Sequence, residues 1–481
     1  MLWLAAVLAA TPTAELKWGA DAQGGAPYVF QDPMDPNRLV GFEVELAGAL
    51  AKKLGREPRP VHGAWDKLLE LLGRGDFDVA LNGIEVAEEK KRVALLSRPY
   101  FEAPERLTIK KSNARAPRSK KELEGRLVGT LPGSLAERIA TGAGAVVKTY
   151  EGGQDEIYMD LKLGRIDAVL LDAPVALYYG EDEELETVPG DFGKVQYAIA
   201  VRLDDEVLLR EVNAALDQLE LEGTLKKIYA KWGLVESATE MPVELERWRA
   251  AVGKPLPLLE RVRTRYPQVL PLFARGALMT LAVSILAMLG AILLGVLLAT
   301  GRRYGPAPVR GFCIGYIELF RGTPLLVQLT LVYFGLPELG LKLSPFVAGT
   351  LALALNYAAA EAENYRAGLE SVPAGQLEAS TVLGLTRWQT LRFVVGPQAV
   401  RVSIPPMTND FIALLKDSSL VSLVTLTELT KTYTNLASSM RDHLGLGLVV
   451  AAFYLLIGMP FALLARRAEA YFGRHLKRSN A

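Results

Sequence analysis

The feature that most constrains this chain is a set of long apolar stretches in its second half. Leu278–Thr300 runs for 23 residues without a charged side chain, and a helix needs roughly 20 apolar residues to cross a bilayer. Leu343–Ala360 and Leu444–Ala465 are also uncharged, and Gly311–Pro337 is a fourth candidate. The prolines and charges of Gln398–Leu415 predict a fifth, broken helix buried among its neighbours. Core helices of a soluble protein are the alternative, but three uncharged stretches in one half argue against it.

Basic residues indicate how five spans would be oriented. Arg302 and Arg303 follow the first stretch, and Arg466 and Arg467 follow the last. By the positive-inside rule, the C-terminus and the loop after the third stretch are cytoplasmic, and everything before the first stretch lies outside. Residues 1–13 have an apolar core but no basic start, and we interpret them as a signal peptide.

Composition excludes several classes of protein. The formal net charge is zero, so a basic surface for nucleic acid is not the organising theme. The single cysteine, Cys313, cannot form an intramolecular disulfide. Three scattered histidines and one thiol do not predict a structural zinc site. We expect neither a metal nor a cofactor.

The N-terminal half alternates between strand and helix patterns. "ELKWGA" is typical of a strand, and Phe42, Leu46, Leu50 and Leu54 share one face of a predicted helix. The order repeats through "FDVALNG", "RLVGTL", "AVVKTY" and "DAVLLD". This pattern predicts two α/β lobes with mostly parallel strands, and a ligand cleft between them.

Several segments of this half resemble the type II periplasmic amino-acid-binding proteins. The quoted similarity lies in "LVGFEVELAGALAKKLG", "AWDKLLELLGRGDFDVALNGI", "GRIDAVLLDAPVALYY" and "LEGTLKKIYAKWG". From about Leu272 onward, "LFRGTPLLVQLTLVYFGLP" and the stretch that contains "PAGQLEASTVLGLTRWQTLRFVVGPQ" are similar to the polar-amino-acid permeases of ATP-binding-cassette importers. Together the two resemblances imply a receptor fused to a permease of about five helices. Its transport would proceed by alternating access.

The permease resemblance implies a loop that couples the membrane helices to an ATPase. Glu378, Ala379, Ser380, Gly384 and Pro397 match the spacing of the importer "EAA" loop. Residues 376–383 can form a short helix that the left-handed glycine closes, and Thr386-x-x-Gln389 has the form of a capping box. An ordinary helical hairpin is the alternative.

The resemblance also implies the partners of the chain. No G-x-x-x-x-G-K-[ST] motif occurs in the sequence, so we expect a separate cytoplasmic ATPase dimer to bind ATP. Five spans do not easily enclose a pathway, so two permeases should pair, as a homodimer or with a relative. The remaining expected contacts are an amino acid and membrane lipid, without nucleic acid.

The receptor resemblance assigns residues to the amino-acid cleft. Lys90 falls where the family has a carboxylate-binding arginine, and Glu85 falls where it has a threonine. A lysine neutralises a carboxylate without a bidentate fork, and Glu85 would repel that carboxylate or pair with Lys90. Asp172 matches the aspartate that binds the ligand ammonium. The other expected site residues are Asp21, Tyr28, Trp65, Gly83, Gly133 and Ser134, with the aromatic rings as walls and the last two as a helix start that offers amides.

Each assignment has an ordinary structural alternative. Trp65 could be a core residue of an amphipathic helix, Asp172 could cap the following helix, and Lys90 with Glu85 and Glu88 could be a solvated charge cluster. Because Glu85 departs from the family, a cationic or non-standard substrate stays open. A ligand-gated channel also joins this receptor fold to membrane helices, but no TVGYG-like filter is present. A solitary dehydratase would need no permease, and a sensor would need an output domain.

The predicted domain boundaries follow from these patterns. The 36 residues 235–270 are rich in charge and contain four prolines, which is typical of a flexible tether. The predicted segments are a signal peptide (1–13), a substrate-binding domain (14–234, with lobe 1 at 14–112 and 192–234 and lobe 2 at 113–191), a linker (235–270), a permease (271–470) and a cytoplasmic tail (471–481).

Overall fold

The structure is a computed structural model, and it describes residues 14–150, 153–180, 182–235, 242–252 and 257–473. The predicted signal peptide therefore lies outside the described residues. The chain divides into two compact units. The first contains the residues up to Val269 together with Thr434–Leu444, and the second contains Leu270–Tyr433 and the residues from Gly445 onward.

One lobe of the first unit is built on a five-stranded sheet. Its strands lie in the order β4-β1-β5-β13-β6, with β1 parallel to both neighbours and β13 antiparallel to both of its neighbours. The strands are β1 (Glu15–Ala20), β4 (Glu57–His62), β5 (Val79–Ala80), β6 (Leu95–Leu96) and β13 (Ala200–Val201). Its helices are α1 (Phe42–Lys53), α2 (Leu68–Arg74), α3 (Glu88–Lys91), α7 (Glu206–Leu221) and α8 (Thr224–Lys231), and a ribbon of β2 (Phe30–Gln31) and β3 (Leu39–Val40) adjoins them.

The other lobe has a sheet with the order β11-β7-β10-β8-β9, and β12 also pairs with β7. Strands β8, β9 and β10 are parallel, whereas β7 runs antiparallel to β10, β11 and β12. The strands are β7 (Phe101–Lys110), β8 (Leu127–Thr130), β9 (Val146–Thr149), β10 (Ala168–Asp172), β11 (Leu185–Val188) and β12 (Lys194–Tyr197). The helices are α4 (Leu135–Gly142), α5 (Gln154–Lys162) and α6 (Ala173–Val175).

Helix α1 shows why the sequence folds in this way. Phe42, Leu46 and Leu50 are fully buried because they recur at helical spacing on one face, and Leu54 packs partly buried against the same core. Glu45 and Lys53 stay at the surface in ion pairs with α8 and the end of α7. The predicted amphipathic face is thus the face that anchors this lobe.

The predicted tether is wrong for the part of it that the structure describes. Helices α9 (Val243–Val252) and α10 (Leu258–Thr264) occupy this segment. Trp248 on α9 is buried, and its ring lies 5.3 Å from the rings of both Tyr178 and Tyr179. Burial of such a large aromatic surface offsets the entropy of ordering the segment, which charge and proline content alone do not reveal.

The second unit is helical. Its first long helix is α11 (Tyr266–Tyr304). Further along the chain, α14 (Pro345–Glu370) packs along α17 (Gly396–Asp417). The helices that follow α11 are α12 (Ala307–Gly322), α13 (Leu325–Thr330), α14 (Pro345–Glu370), α15 (Ala374–Val382), α16 (Arg387–Thr390), α17 (Gly396–Asp417), α18 (Leu429–Met440) and α19 (His443–Gly473). Helix α18 belongs to the second unit only up to Tyr433, and its remainder from Thr434 belongs to the first unit. Helix α17 continues through Pro405 and Pro406, so the break predicted there is absent. The two prolines remove backbone donors from the helix, but the helix is stabilised by its packing along α14.

Two helices are long and apolar enough to cross a membrane among the described residues. They are α11 and the His443–Arg467 part of α19. Ala307–Gly322 and Leu325–Leu339 meet this test only as a pair, and the chain bends by 107° between them. Helix α14 covers most of the predicted stretch Leu343–Ala360 and α17 covers Gln398–Leu415, and charged residues such as Glu361 and Asp410 lower the apolarity of these helices.

Candidate functional site

The first unit contains a cleft between its two lobes, and the wall of the cleft is acidic. Five carboxylates line this cavity, and no lysine or arginine lines it within the ranges that the structure describes. The five are Asp21, Asp66, Glu85, Glu105 and Asp172. A cleft of one charge sign attracts ligands of the opposite sign.

Asp172 lies at the end of β10, where the parallel strands of its lobe end and ligands bind in such sheets. One carboxylate oxygen accepts a hydrogen bond from the Val175 amide at 2.9 Å, so Asp172 does cap α6. The other accepts a hydrogen bond from the Tyr197 hydroxyl at 2.7 Å. Burial raises the pKa of the Asp172 carboxyl. Asp172 thus combines the predicted cap with a place in the cavity wall.

Asp21 and Trp65 are held together through the loop that contains Asn82. The Asp21 amide donates to Asn82 Oδ1 at 2.6 Å, and the Trp65 amide donates to Asp21 Oδ2 at 3.1 Å. The Trp65 indole donates to the Asn82 carbonyl at 2.8 Å. Trp65 is only half-buried and starts a short 3-10 turn, so its ring is available to the cavity rather than lost in the core.

The rings of Tyr28 and Tyr197 form an aromatic wall of the cavity, and Gly83 lies against it. The Tyr28 and Tyr197 rings meet edge to face, with centroids 5.8 Å apart. Gly83 has a φ of 63°, and a Cβ there would lie 3.3 Å from the Tyr28 ring. A side chain at position 83 would therefore strain the backbone and crowd the wall.

Glu85 is bound by its own chain at the start of α4. Both carboxylate oxygens accept from the Leu135 amide at 2.9 Å, and the Arg138 guanidinium donates at 3.1 Å. Glu85 therefore occupies the kind of helix start at which an anionic ligand group would bind.

Lys90 lies beside Glu85 and is not part of the cavity wall. Its ammonium is 3.9 Å from the Glu85 carboxylate and 5.3 Å from the centre of the Trp65 ring. Burial lowers the pKa of the Lys90 ammonium, and Glu85 opposes that shift. The expected pairing of these two residues is present as a partly buried contact.

The Gly133 amide and the Ser134 hydroxyl both donate within their own loop, and the hydroxyl donates to the Leu131 carbonyl at 2.7 Å. The Gly133 amide donates to Glu137 at 2.6 Å, and the Ser134 hydroxyl accepts from the Glu137 amide at 3.1 Å as the N-cap of α4. These donors are thus engaged within the chain.

Glu105 is a cavity residue that the sequence reading missed. It lies on the buried face of β7, together with Ala103 and Leu107. A carboxylate in an otherwise apolar alternation is the signal that could have identified it.

The predicted coupling loop is formed by α15, α16 and the turn between them. Gly384 has a φ of 71°. The Gly384 amide donates to the Thr381 carbonyl and the Leu385 amide donates to the Ser380 carbonyl, both at 3.0 Å, which is a Schellman motif. Thr386 and Gln389 form the reciprocal capping box. Glu378, Ala379 and Ser380 lie on α15, and Pro397 lies in the first turn of α17.

The loop presents large apolar side chains at the surface of its unit. Val382 is 87% exposed and Leu383 is 77% exposed, and Trp388 and Phe393 are also exposed. Such a patch on a rigid turn is typical of a surface that binds another protein.

Two acidic residues of the second unit were also missed. Glu361 on α14 is fully buried, and Asp410 on α17 accepts a hydrogen bond from Asn364 at 2.7 Å. Asn364 lies three residues after Glu361, on the same face of α14. Neither acid forms an ion pair with a basic residue in the described ranges.

Comparison with known proteins gives two family matches. Residues 16–235 match the bacterial extracellular solute-binding proteins, family 3, and residues 291–478 match the binding-protein-dependent transport system inner membrane components. The chain is 35% identical over 202 residues to the glutamine transport system permease protein of Escherichia coli K12, covering 42% of this chain and 92% of the relative. It is 34% identical over 209 residues to the L-cystine transport system permease protein of Bacillus subtilis, covering 42% and 89%.

Among solved structures, an ancestral arginine-binding protein bound to arginine is 36% identical, with a TM-score of 0.42 over 46% of this chain and 99% of that chain. The matches define a membrane transport protein in which a solute-binding domain precedes a permease domain. The chain belongs to the binding-protein-dependent transport system inner membrane components, and it is a fused binding and permease subunit of an amino-acid ATP-binding-cassette importer.

Proposed function

We propose that the first unit receives an amino acid outside the cytoplasm and delivers it to the permease of the same chain. The observation that carries this proposal is the position of Asp172, a half-buried carboxylate at a strand end whose two oxygens accept from Val175 and Tyr197. A carboxylate in a desolvated cleft suits an ammonium group. Tyr28 and Trp65 would provide the walls.

The carboxylate of the amino acid needs a donor set that differs from the one expected by resemblance. The amides of Leu135 and Gly133 are engaged by Glu85 and Glu137. Lys90 has no hydrogen-bond acceptor among the described groups. We propose that Lys90 serves the ligand carboxylate after Glu85 turns away, since its ammonium lies 3.9 Å from the Glu85 carboxylate of the wall.

An importer of a cationic solute without a carboxylate is the second candidate function. The occupied amides at the start of α4 favour it, as does the acidic cavity wall. Such a solute would leave Glu85 in place.

We propose that a separate ATPase dimer drives transport through residues 376–395. The Schellman turn at Gly384 and the exposed Val382, Leu383 and Trp388 support this assignment, because a rigid turn with an apolar surface can transmit movement. Two permease copies would pair, with the N-terminal unit outside and the C-terminus in the cytoplasm, as the basic residues near the helix ends indicate.

Calorimetry of the full-length chain in lipid nanodiscs, against the common amino acids and agmatine, tests the proposal. We expect saturable binding of at least one amino acid. Binding of agmatine without any amino acid would favour the second candidate, and the absence of all binding would remove both.

A further inference from the structure

We propose that Glu105 binds a positive charge on the ligand side chain, so that the receptor selects amino acids with a cationic side chain. This inference rests on the proposed function, and it adds the substrate class and the residue that determines it. It depends on where Glu105 lies, on what it lacks, and on the neighbour that it faces.

Glu105 is placed in the cavity by the register of two strands. Strand β7 pairs antiparallel with β10, and Glu105 lies directly opposite Asp172. Side chains in such a pair have Cβ atoms about 4.5 to 5.5 Å apart and point to the same face of the sheet. Both residues line the cleft cavity. The ligand therefore meets two carboxylates side by side.

This arrangement is unfavourable without a ligand. Glu105 is only 2% exposed, and its Oε2 accepts no hydrogen bond from any group that the structure describes. Like charges directly opposite each other destabilise a sheet, and a buried carboxylate without a partner is costly. Burial, Asp172 and Glu85 raise the pKa of Glu105, and the Arg138 charge only partly opposes them. A cation in the cavity would remove this cost.

An amino acid with a neutral side chain does not need both acids. Its single ammonium is satisfied by Asp172, one oxygen of which already accepts from Tyr197. The second carboxylate would then be buried with no role. A side chain that ends in an ammonium or guanidinium gives Glu105 a partner, and the planar guanidinium fits a carboxylate with two parallel hydrogen bonds.

A permanently protonated, structural Glu105 is the competing explanation. In that case the carboxyl group acts as a neutral amide would, and Glu105→Gln would leave the order of ligand affinities unchanged. A pair of ligands of equal shape and different charge separates the two cases. Arginine and citrulline are such a pair, because a neutral ureido group replaces the guanidinium in citrulline.

The test measures binding of arginine, citrulline and agmatine to the full-length chain in nanodiscs by calorimetry. We expect the unmodified chain to prefer arginine over citrulline by about 10- to 100-fold, the usual range for a hydrogen bond to a charged partner. Glu105→Gln should abolish most of this preference and leave citrulline binding within about threefold. Glu102→Gln is the matched control, since Glu102 is an exposed residue of the same strand, paired with Lys194.

The outcomes distinguish this inference from the proposed function. Equal binding of arginine and citrulline by the unmodified chain, or an arginine preference that survives Glu105→Gln, overturns the role of Glu105 while the amino-acid receptor stands. If agmatine is the only one of the three that binds, and its binding depends on Glu105, then Glu105 does recognise the ligand charge but the ligand is not an amino acid. Loss of binding for all three ligands in a Glu105→Gln chain that keeps its unfolding temperature also overturns it, because citrulline binding should persist.

Discussion

The receptor cleft and the α14–α17 helix pair both bury acidic residues, but they satisfy them differently. In the cleft, Asp172 and Glu85 accept hydrogen bonds from groups of their own lobe or the facing lobe. Glu361 is fully buried and has no basic partner in the described ranges, and Asp410 accepts a hydrogen bond from the neutral amide of Asn364. A carboxylate buried without a cation is unfavourable. The cleft is thus prepared in advance at Asp172 and Glu85 but not at Glu105, whereas in the helix pair Glu361 lacks any such partner among the residues that the structure describes.

This comparison predicts that changes in one region separate binding from transport. The largest expected effect lies in the coupling loop of the second unit. Gly384→Val should abolish ligand-stimulated ATP hydrolysis in the assembled complex, because a β-branched residue does not adopt a φ of 71° and the Schellman turn is lost. Ligand binding by calorimetry should be unchanged. Gly375→Val is the control, since Gly375 lies in α15 without a positive φ. A normal ATPase rate in the Gly384 variant would mean that the loop does not couple.

The loop was predictable from sequence because its determinants are local. A glycine after a short helix and a Thr-x-x-Gln pattern fix the turn within a few residues. The face of α1 was predictable for the same reason. These features depend on neighbours along the chain.

The missed features depend on residues far apart in sequence. Glu105 became a cavity residue through the register of β7 against β10, and Glu85 found its donors on α4, about 50 residues later. Helix α9 is ordered by contacts of Trp248 with Tyr178 and Tyr179. Composition does not reveal such contacts between residues far apart in sequence. For that reason the sequence predicted a flexible tether at 235–270 and free amides at the start of α4.

The next largest effect is expected for Asp172, the cleft carboxylate that accepts hydrogen bonds from Val175 and Tyr197. Asp172→Asn should weaken ligand binding by about 2 to 5 kcal/mol, because the ligand charge would lose its charged partner in the cleft. The asparagine oxygen can still accept from the Val175 amide, and its NH2 group can donate to the Tyr197 hydroxyl, so the fold should persist. Isothermal titration of the full chain measures the change. Asp191→Asn, an exposed acid of the same lobe, should bind normally, and native affinity in the Asp172 variant would reject the cleft assignment.

A smaller effect is expected in the helix pair. Glu361→Gln should lower transport in proteoliposomes about tenfold, because a buried acid among membrane helices marks a pathway for a cation. Binding to the receptor should be unaffected. Glu370→Gln, near the exposed end of α14, is the control. If transport in the Glu361 variant equals that of the control, the acid is structural and the contrast between the two regions fails.

The smallest expected effect is a pH dependence of stability behind the cleft. Glu43 is fully buried on α1, accepts from the Gly83 amide at 2.7 Å and from the Tyr100 hydroxyl, and has its pKa raised by burial from 4.5 to about 7. Because the folded pKa lies above the unfolded one, the stabilisation is fully present below pH 4.5 and is lost as the pH rises through about 7. Glu43→Gln keeps an acceptor without a charge, so it should raise the unfolding temperature of the first unit at pH 8 by about 2 to 4 °C and not at pH 5. Scanning fluorimetry measures both values, with Glu70→Gln as a surface control. An equal shift at both pH values would show that the Glu43 charge does not limit stability.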